Sequence, residues 1–176
     1  GALAPVSYVP ARPDGEAGAL AGLKAGGKRG GGRRAEETRP CRLSAGAVPN
    51  AAGSAYVEQG GTKILAAVYG PRHAQREATA EGLLSVELSF APFCSQAFSK
   101  EESEKRGLLY TSTLKQALES IVLLERYAKT AFDVHLMVLE DDGSVLTAAL
   151  SAASLALADA AVELRDLAAG ATVHHA

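Results

Sequence analysis

The chain has 176 residues, 47% of them hydrophobic, and a formal net charge of −2. That is enough chain for one domain with a packed core, and the composition excludes wholesale disorder. The charge balance excludes a protein coated in positive charge, so any nucleic-acid contact rests on a few placed cations.

Residues 1–38 differ from the rest of the chain. The stretch "GLKAGGKRGGGRRAEE" is Gly-rich and basic and has almost no apolar pattern. Such a segment cannot bury enough surface to offset its ordering entropy, and a flexible tail is expected. Its Lys24, Lys28, Arg29, Arg33 and Arg34 could attract RNA phosphates, or the segment is simply a solvated linker. The opening "GALAPVSYVPARPDGEAG" lacks the charged start and long apolar block of a secretory signal. No apolar run reaches the ~18 residues of a membrane span, so no membrane partner is expected.

Order is expected from about Arg39. "CRLSAGAV" alternates weakly, and "GSAYVEQGGTKILAAVYG" reads as two strands. Ala55, Val57 and Gln59 point one way and Tyr56 and Glu58 the other, with "QGG" supplying a tight turn. "TKILAAVYG" is apolar on both faces, as a central strand is, and Pro71 is expected to end it. After the polar loop "RHAQREATAEG", "LLSVELSFAPF" is a third strand, with Val86, Leu88 and Phe90 on one face.

"SQAFSKEESEKRG" reads as a charged, solvated loop in which Lys100, Lys105 and Arg106 are cancelled by Glu101, Glu102 and Glu104. Next comes a helix, with Leu114, Ala117, Leu118, Ile121 and Val122 at spacings of three and four. "TAFDVHLMVLE" is another strand. "VLTAALSAASLALADAAV" is a second helix, apolar nearly all round and built of small residues, so it is expected to be buried on more than one side. "LRDLAAGATVHHA" is expected to begin a further strand and then stop, as in a domain shortened before its second half. Strands grouped first with helices later indicate an α+β fold, a mixed sheet packed against helices.

The residues with chemical potential are few. Cys41 and Cys94 form no CxxC pair, and free thiols in a reducing compartment are expected. Adjacent His174 and His175 without further ligands make a poor metal site, and no metal or cofactor is expected. His135 reads as a packed or half-exposed strand residue, and Tyr56, Phe90 and Phe93 as core rather than base-stacking platforms.

Three blocks resemble the RNase PH-like family: "RPCRLSAGAVPNAAGSAYVEQGGTKILAAVYGPR", "ALESIVLLERYAKTAFDVHLMVLEDDG" and "TAALSAASLALADAAVELRDLAAG". Together they cover nearly everything from Arg39 to Gly170. The resemblance implies the N-terminal part of an RNase PH-like domain over residues 39–176 that assembles into a six-membered ring. Such rings are phosphorolytic exonucleases in bacteria and the barrel of the RNA exosome in archaea and eukaryotes.

Active members carry a segment like Ala-Asp-Gly-Gly-Thr-Arg before the second helix, where the Thr, the Arg and the helix N-terminus hold the attacking phosphate. Here Asp141, Asp142, Gly143 and Ser144 fill the first four places, and Val145 and Leu146 stand where Thr and Arg are expected. An Arg fork matches phosphate oxygens in a bidentate way, and an aliphatic side chain cannot. The resemblance therefore implies a degenerate phosphate site at Ser144, Val145 and Leu146, with Ser144 as the helix cap and Asp141 adding a like charge. Asp159 and Asp166 read as structural; the family's catalytic acid belongs to a later strand, and no catalytic residue is assigned. The family's early Asp-Gly-Arg is replaced by something like "RAEETR".

The turn and helix look most like silent exosome subunits of the messenger-RNA-transport-regulator type. That likeness implies other RNase PH-like ring subunits, cap subunits and single-stranded RNA as partners. It also implies a place in the nucleus and nucleolus and in the cytoplasm. In the family, the loop after the central strand lies near the ring opening, so Arg72, His73 and Arg76 are candidate RNA contacts, or else a solvated polar loop. An active phosphorolytic 3′–5′ exoribonuclease with a substitute anion ligand remains the alternative, and a poorly folding fragment a third.

Overall fold

The computed structural model describes residues 37–73, 81–94 and 99–173. The chain divides into two compact units. Of the first, residues 1–39 with 173–176, the described residues 37–39 and 173 form no regular element. The expected tail thus falls almost wholly outside the described residues. The second unit, residues 40–172, carries the fold.

Five strands form one sheet: β1 (Cys41–Ala45), β2 (Gly53–Gln59), β3 (Thr62–His73), β4 (Leu83–Phe90) and β5 (Thr130–Glu140). Their order across the sheet is β1-β2-β3-β5-β4. All neighbours are antiparallel except β4 and β5. A parallel pair needs a crossover, and helix α1 (Lys100–Ile121) supplies it. Helix α2 (Val145–Asp159) comes directly after β5. The expected two-residue turn is present: Gln59 pairs with Thr62 across Gly60 and Gly61.

The helices share one face of the sheet, α1 on β4 and α2 on β2 and β3. Period-two alternation sends Ala55 and Val57, Ile64 and Ala66, Val134 and Leu136, and Val86 and Leu88 to that face, all buried. Helix α2 answers with Val145, Ala148, Ala149, Ala152, Ala153, Ala156 and Leu157. Small residues allow close approach, and Gly53 shows how close. A Cβ built there would lie 2.2 Å from the Ala160 nitrogen and 2.4 Å from the Ala156 carbonyl oxygen.

Three expectations need correction. Pro71 does not end the central strand; β3 continues to His73, and a register shift between Tyr69 and Arg72 absorbs the interruption. The charged stretch after Ser99 is not a loop but the first turns of α1. Ser99 and Glu102 form a reciprocal capping box: the Glu102 N–H donates to the Ser99 hydroxyl (3.3 Å) and the Ser99 N–H to the Glu102 carboxylate (2.9 Å). These bonds from Ser99 hold the Glu102 carboxyl below its ordinary range. Finally, the described residues after Val162 form no strand, only an isolated bridge between Val122 and Leu164.

Candidate functional site

The turn Asp141–Ser144 joins β5 to the helix of small residues. Its backbone is left-handed twice in succession, with φ of 89° at Gly143 and 59° at Ser144. That explains why the family's segment has Gly at both places, since a side chain costs about 1–2 kcal/mol in this conformation. The strain is held by the opposite hairpin. Thr62, fully buried, donates its hydroxyl to the Gly143 carbonyl (2.6 Å) and accepts the Asp142 N–H (3.0 Å). The Gly61 N–H donates to the Asp142 carboxylate at 3.3 Å.

Asp141 is the most withdrawn charge of the turn, its side chain 3% exposed. One carboxylate oxygen accepts the Gly143 N–H (2.9 Å) and the other the Arg106 guanidinium (3.2 Å). Arg106 reaches it from α1, lying over Phe90 at 5.4 Å and Tyr110 at 5.8 Å, and it also donates to the Tyr110 hydroxyl at 3.5 Å. Burial works to lower the Arg106 pKa, but Tyr110 and Asp141 outweigh it and hold the guanidinium above its ordinary value. Beside them, burial first and then Asp141 and Glu140 push the Cys94 thiol up, against Arg106. Glu140, last residue of β5, pairs with Lys63 at 2.7 Å. Three consecutive carboxylates thus face two cations, a poor setting for a further anion.

The structure places the sequence-derived site residues as part of the core and the turn. Val145 is 3% exposed, its side chain in the core, and Leu146 is half-buried against that core. Neither offers a polar atom from its side chain. Ser144 is the residue before α2 but its hydroxyl does not cap the helix, a correction; its left-handed backbone is not the extended conformation from which a cap hydroxyl reaches the next turn. Its carbonyl instead accepts from the Ala148 N–H and the Thr147 hydroxyl. Asp159 is structural, accepting the Ser54 N–H at 2.9 Å, and Asp166 accepts the next N–H at 2.7 Å.

Arg72 and His73 close β3 opposite Ala131 and Thr130, whereas the turn comes after Glu140 at the far end of β5. Nine residues of strand separate them, roughly 30 Å. The structure does not bring Arg72 and His73 together with the degenerate phosphate site. The Arg72 guanidinium, 62% exposed, is paired with Asp133. Arg76, the basic residues of the tail and the pair His174 and His175 lie outside the described residues. Phe93 is 73% exposed rather than core. His135 is half-exposed, as expected, and meets Glu87 at 3.3 Å. Both cysteines are free. Among the described residues no group of three or more His, Cys, Asp or Glu side chains is placed to hold a metal, and no helix is long and apolar enough to cross a membrane.

Two residues of the site were missed from sequence. Arg106 read as part of a cancelled charge run; the Ser-x-x-Glu capping signal would have put it on a helix, one turn before Tyr110. Thr62 carried no signal, because its partners lie 80 residues away.

The chain resembles known proteins along most of its length. It is 42% identical over 146 residues to "Exosome complex component Rrp41" of Pyrococcus abyssi (strain GE5 / Orsay), covering 80% of this chain and 58% of that protein. The protein of the same name in Cenarchaeum symbiosum (strain A) is 40% identical over 148 residues, 82% of this chain and 61% of the other. The chain thus spans less than two thirds of the length of these curated relatives. Among solved structures, rice (Oryza sativa) Rrp46 superposes with a TM-score of 0.66 at 34% identity, covering 79% of this chain and 64% of that one. An Archaeoglobus fulgidus exosome chain, in a structure with RNA bound to the active site, has a TM-score of 0.65 at 23% identity over 74% of this chain and 55% of that one, a likeness of fold. A family model, "3' exoribonuclease family, domain 1", matches residues 37–163, so the chain belongs to the RNase PH family and carries its first domain.

Proposed function

We propose that this chain is a non-catalytic subunit of an exosome-type ring, of the messenger-RNA-transport-regulator type. In this reading it supports 3′–5′ RNA processing and decay performed by associated nucleases and helps line the RNA path. One observation carries the reading: at the start of α2, where the family's turn holds phosphate with Thr and Arg, Val145 is in the core and Leu146 is aliphatic and half-buried. The helix dipole that remains contributes typically ~0.3–1 kcal/mol to an exposed charge, against about 1.5–3 kcal/mol for each hydrogen bond to a charged group that has gone. The name shared by the two archaeal relatives, "Exosome complex component Rrp41", supports the ring as its setting.

Its partners in this reading are RNase PH-like ring subunits, cap subunits and single-stranded RNA, with Arg72, His73 and Arg76 as RNA contacts. Its place is the nucleus and nucleolus and also the cytoplasm, which imaging of the tagged protein checks. The deciding assay incubates the chain, alone and with ring partners whose own sites are disabled, with RNA and inorganic phosphate. No nucleoside diphosphates are expected. Their phosphate-dependent release would establish the alternative, an active phosphorolytic exoribonuclease, to which the family's description lends weight.

A further inference from the structure

We propose that the Asp141 carboxylate is a resident anion: it occupies the charge seat at the β5–α2 turn and withholds Arg106 from any external phosphate. The inference deepens the reading of the turn as inactive and rests on it. Loss of the Thr and Arg ligands explains weak anion binding, but it leaves Arg106 unexplained. Here a guanidinium sits beside a helix start and points at the turn, with its plane set by Phe90 at 5.4 Å and Tyr110 at 5.8 Å. A guanidinium together with a backbone N–H is what an oxyanion seeks.

Both are already taken by the same side chain. Asp141 receives the Gly143 N–H on one oxygen at 2.9 Å and Arg106 on the other at 3.2 Å. It is 3% exposed, and a carboxylate so far from water is stable only when paired. It is tethered next to its donors, so its effective concentration exceeds that of any free ion. Phosphate would have to displace it and also approach Glu140 and Asp142. Where the family's segment has an uncharged Ala, this chain places its own anion, and the ion pair ties α1 to the turn.

The test tracks the Arg106 Nη protons of the full chain, the group that meets Asp141, by nitrogen-15 NMR while inorganic phosphate is added. In wild type the signal exchanges slowly with water and does not move. In Asp141→Asn, which keeps the shape and removes the charge, it shifts saturably. Phosphate then binds about tenfold or more tightly than to the control Asp142→Asn, as one hydrogen bond to a charged group implies. The gain vanishes in Asp141→Asn with Arg106→Gln. A folded Asp141→Asn protein with no gain over Asp142→Asn overturns the proposal, as does a wild-type signal that shifts with phosphate. Should Asp141→Asn not fold, the wild-type exchange rate decides: a rate equal to that of free arginine overturns it, and slow exchange supports it. Release of nucleoside diphosphates by wild type would instead sink the non-catalytic reading, so the two failures are separable.

Discussion

Replacing Thr62 by Val isolates the contact that holds the turn. The two side chains have nearly the same shape, so packing is kept and only the hydroxyl is lost. Thr62 is fully buried, and its hydroxyl serves two backbone groups, the Gly143 carbonyl at 2.6 Å and the Asp142 N–H at 3.0 Å. A buried polar group left without its partner costs about 1–3 kcal/mol. Asp142 is exposed and water can replace part of what it loses, which holds the sum to about 2–3 kcal/mol. At about 3–4 °C per kcal/mol for a domain of this size, Tm falls by roughly 6–12 °C. Urea unfolding should show a lower midpoint with an unchanged slope. Thr62→Ser is the control: it keeps the hydroxyl and loses one buried methyl, costing about 1 kcal/mol. If Thr62→Ser destabilises as much as Thr62→Val, or Thr62→Val lies within about 0.5 kcal/mol of wild type, the hydroxyl is not what holds the turn.

Gly53→Ala should cost about 3 kcal/mol or more in the same unfolding assay, because the new methyl meets backbone atoms of Ala160, just after α2, and of Ala156 within it at 2.2 and 2.4 Å; a cost under about 1 kcal/mol would mean α2 shifts freely on the sheet. The Glu102 carboxyl is held low in the folded state by Ser99, so its stabilising contribution is complete above the ordinary Glu range and is lost as pH falls through the lower folded value. Helicity tracked by circular dichroism should show that acid-side loss in wild type and not in Glu102→Gln. Restoring the family's ligands, Val145→Thr with Leu146→Arg, should create saturable phosphate binding in calorimetry, at about 1–3 kcal/mol of stability for the hydroxyl brought into the core. Phosphate binding unaltered by that double change would refute the account of the turn.

The strands and helices were legible because their cores obey simple periods. Alternation placed Val57, Val86 and Leu88 on the buried face, and three-four spacing placed Leu114 and Leu118 on the buried side of α1. What was hidden depended on partners far away in sequence. Arg106 looked cancelled by its glutamate neighbours, yet a helix turns neighbours away from one another and presents Arg106 to Asp141, 35 residues on. Ser144 looked like a cap because Ser before an apolar helix usually is one; the second positive φ of the turn, invisible in composition, rules that geometry out. Pro71 read as a terminator because Pro cannot donate to a ladder, but the register shift beside it lets β3 resume for two more residues.

The paired cations also sort themselves by how firmly each is held. Lys63, Arg72, Arg106, Lys115, Arg126 and Arg165 each meet a carboxylate, so this chain presents little uncompensated positive charge on these side chains. Exposure decides which pair can yield. The Arg72 side chain is 62% exposed but that of its partner Asp133 only 18%, so this pair is held more firmly than a surface pair of ~0–1 kcal/mol and less firmly than the one at the turn. Arg106 is 24% exposed and its partner 3%, and parting them would leave a carboxylate buried and alone. Of the two cations, the one at the end of β3 is therefore the easier to part from its carboxylate, and the one at the turn the harder.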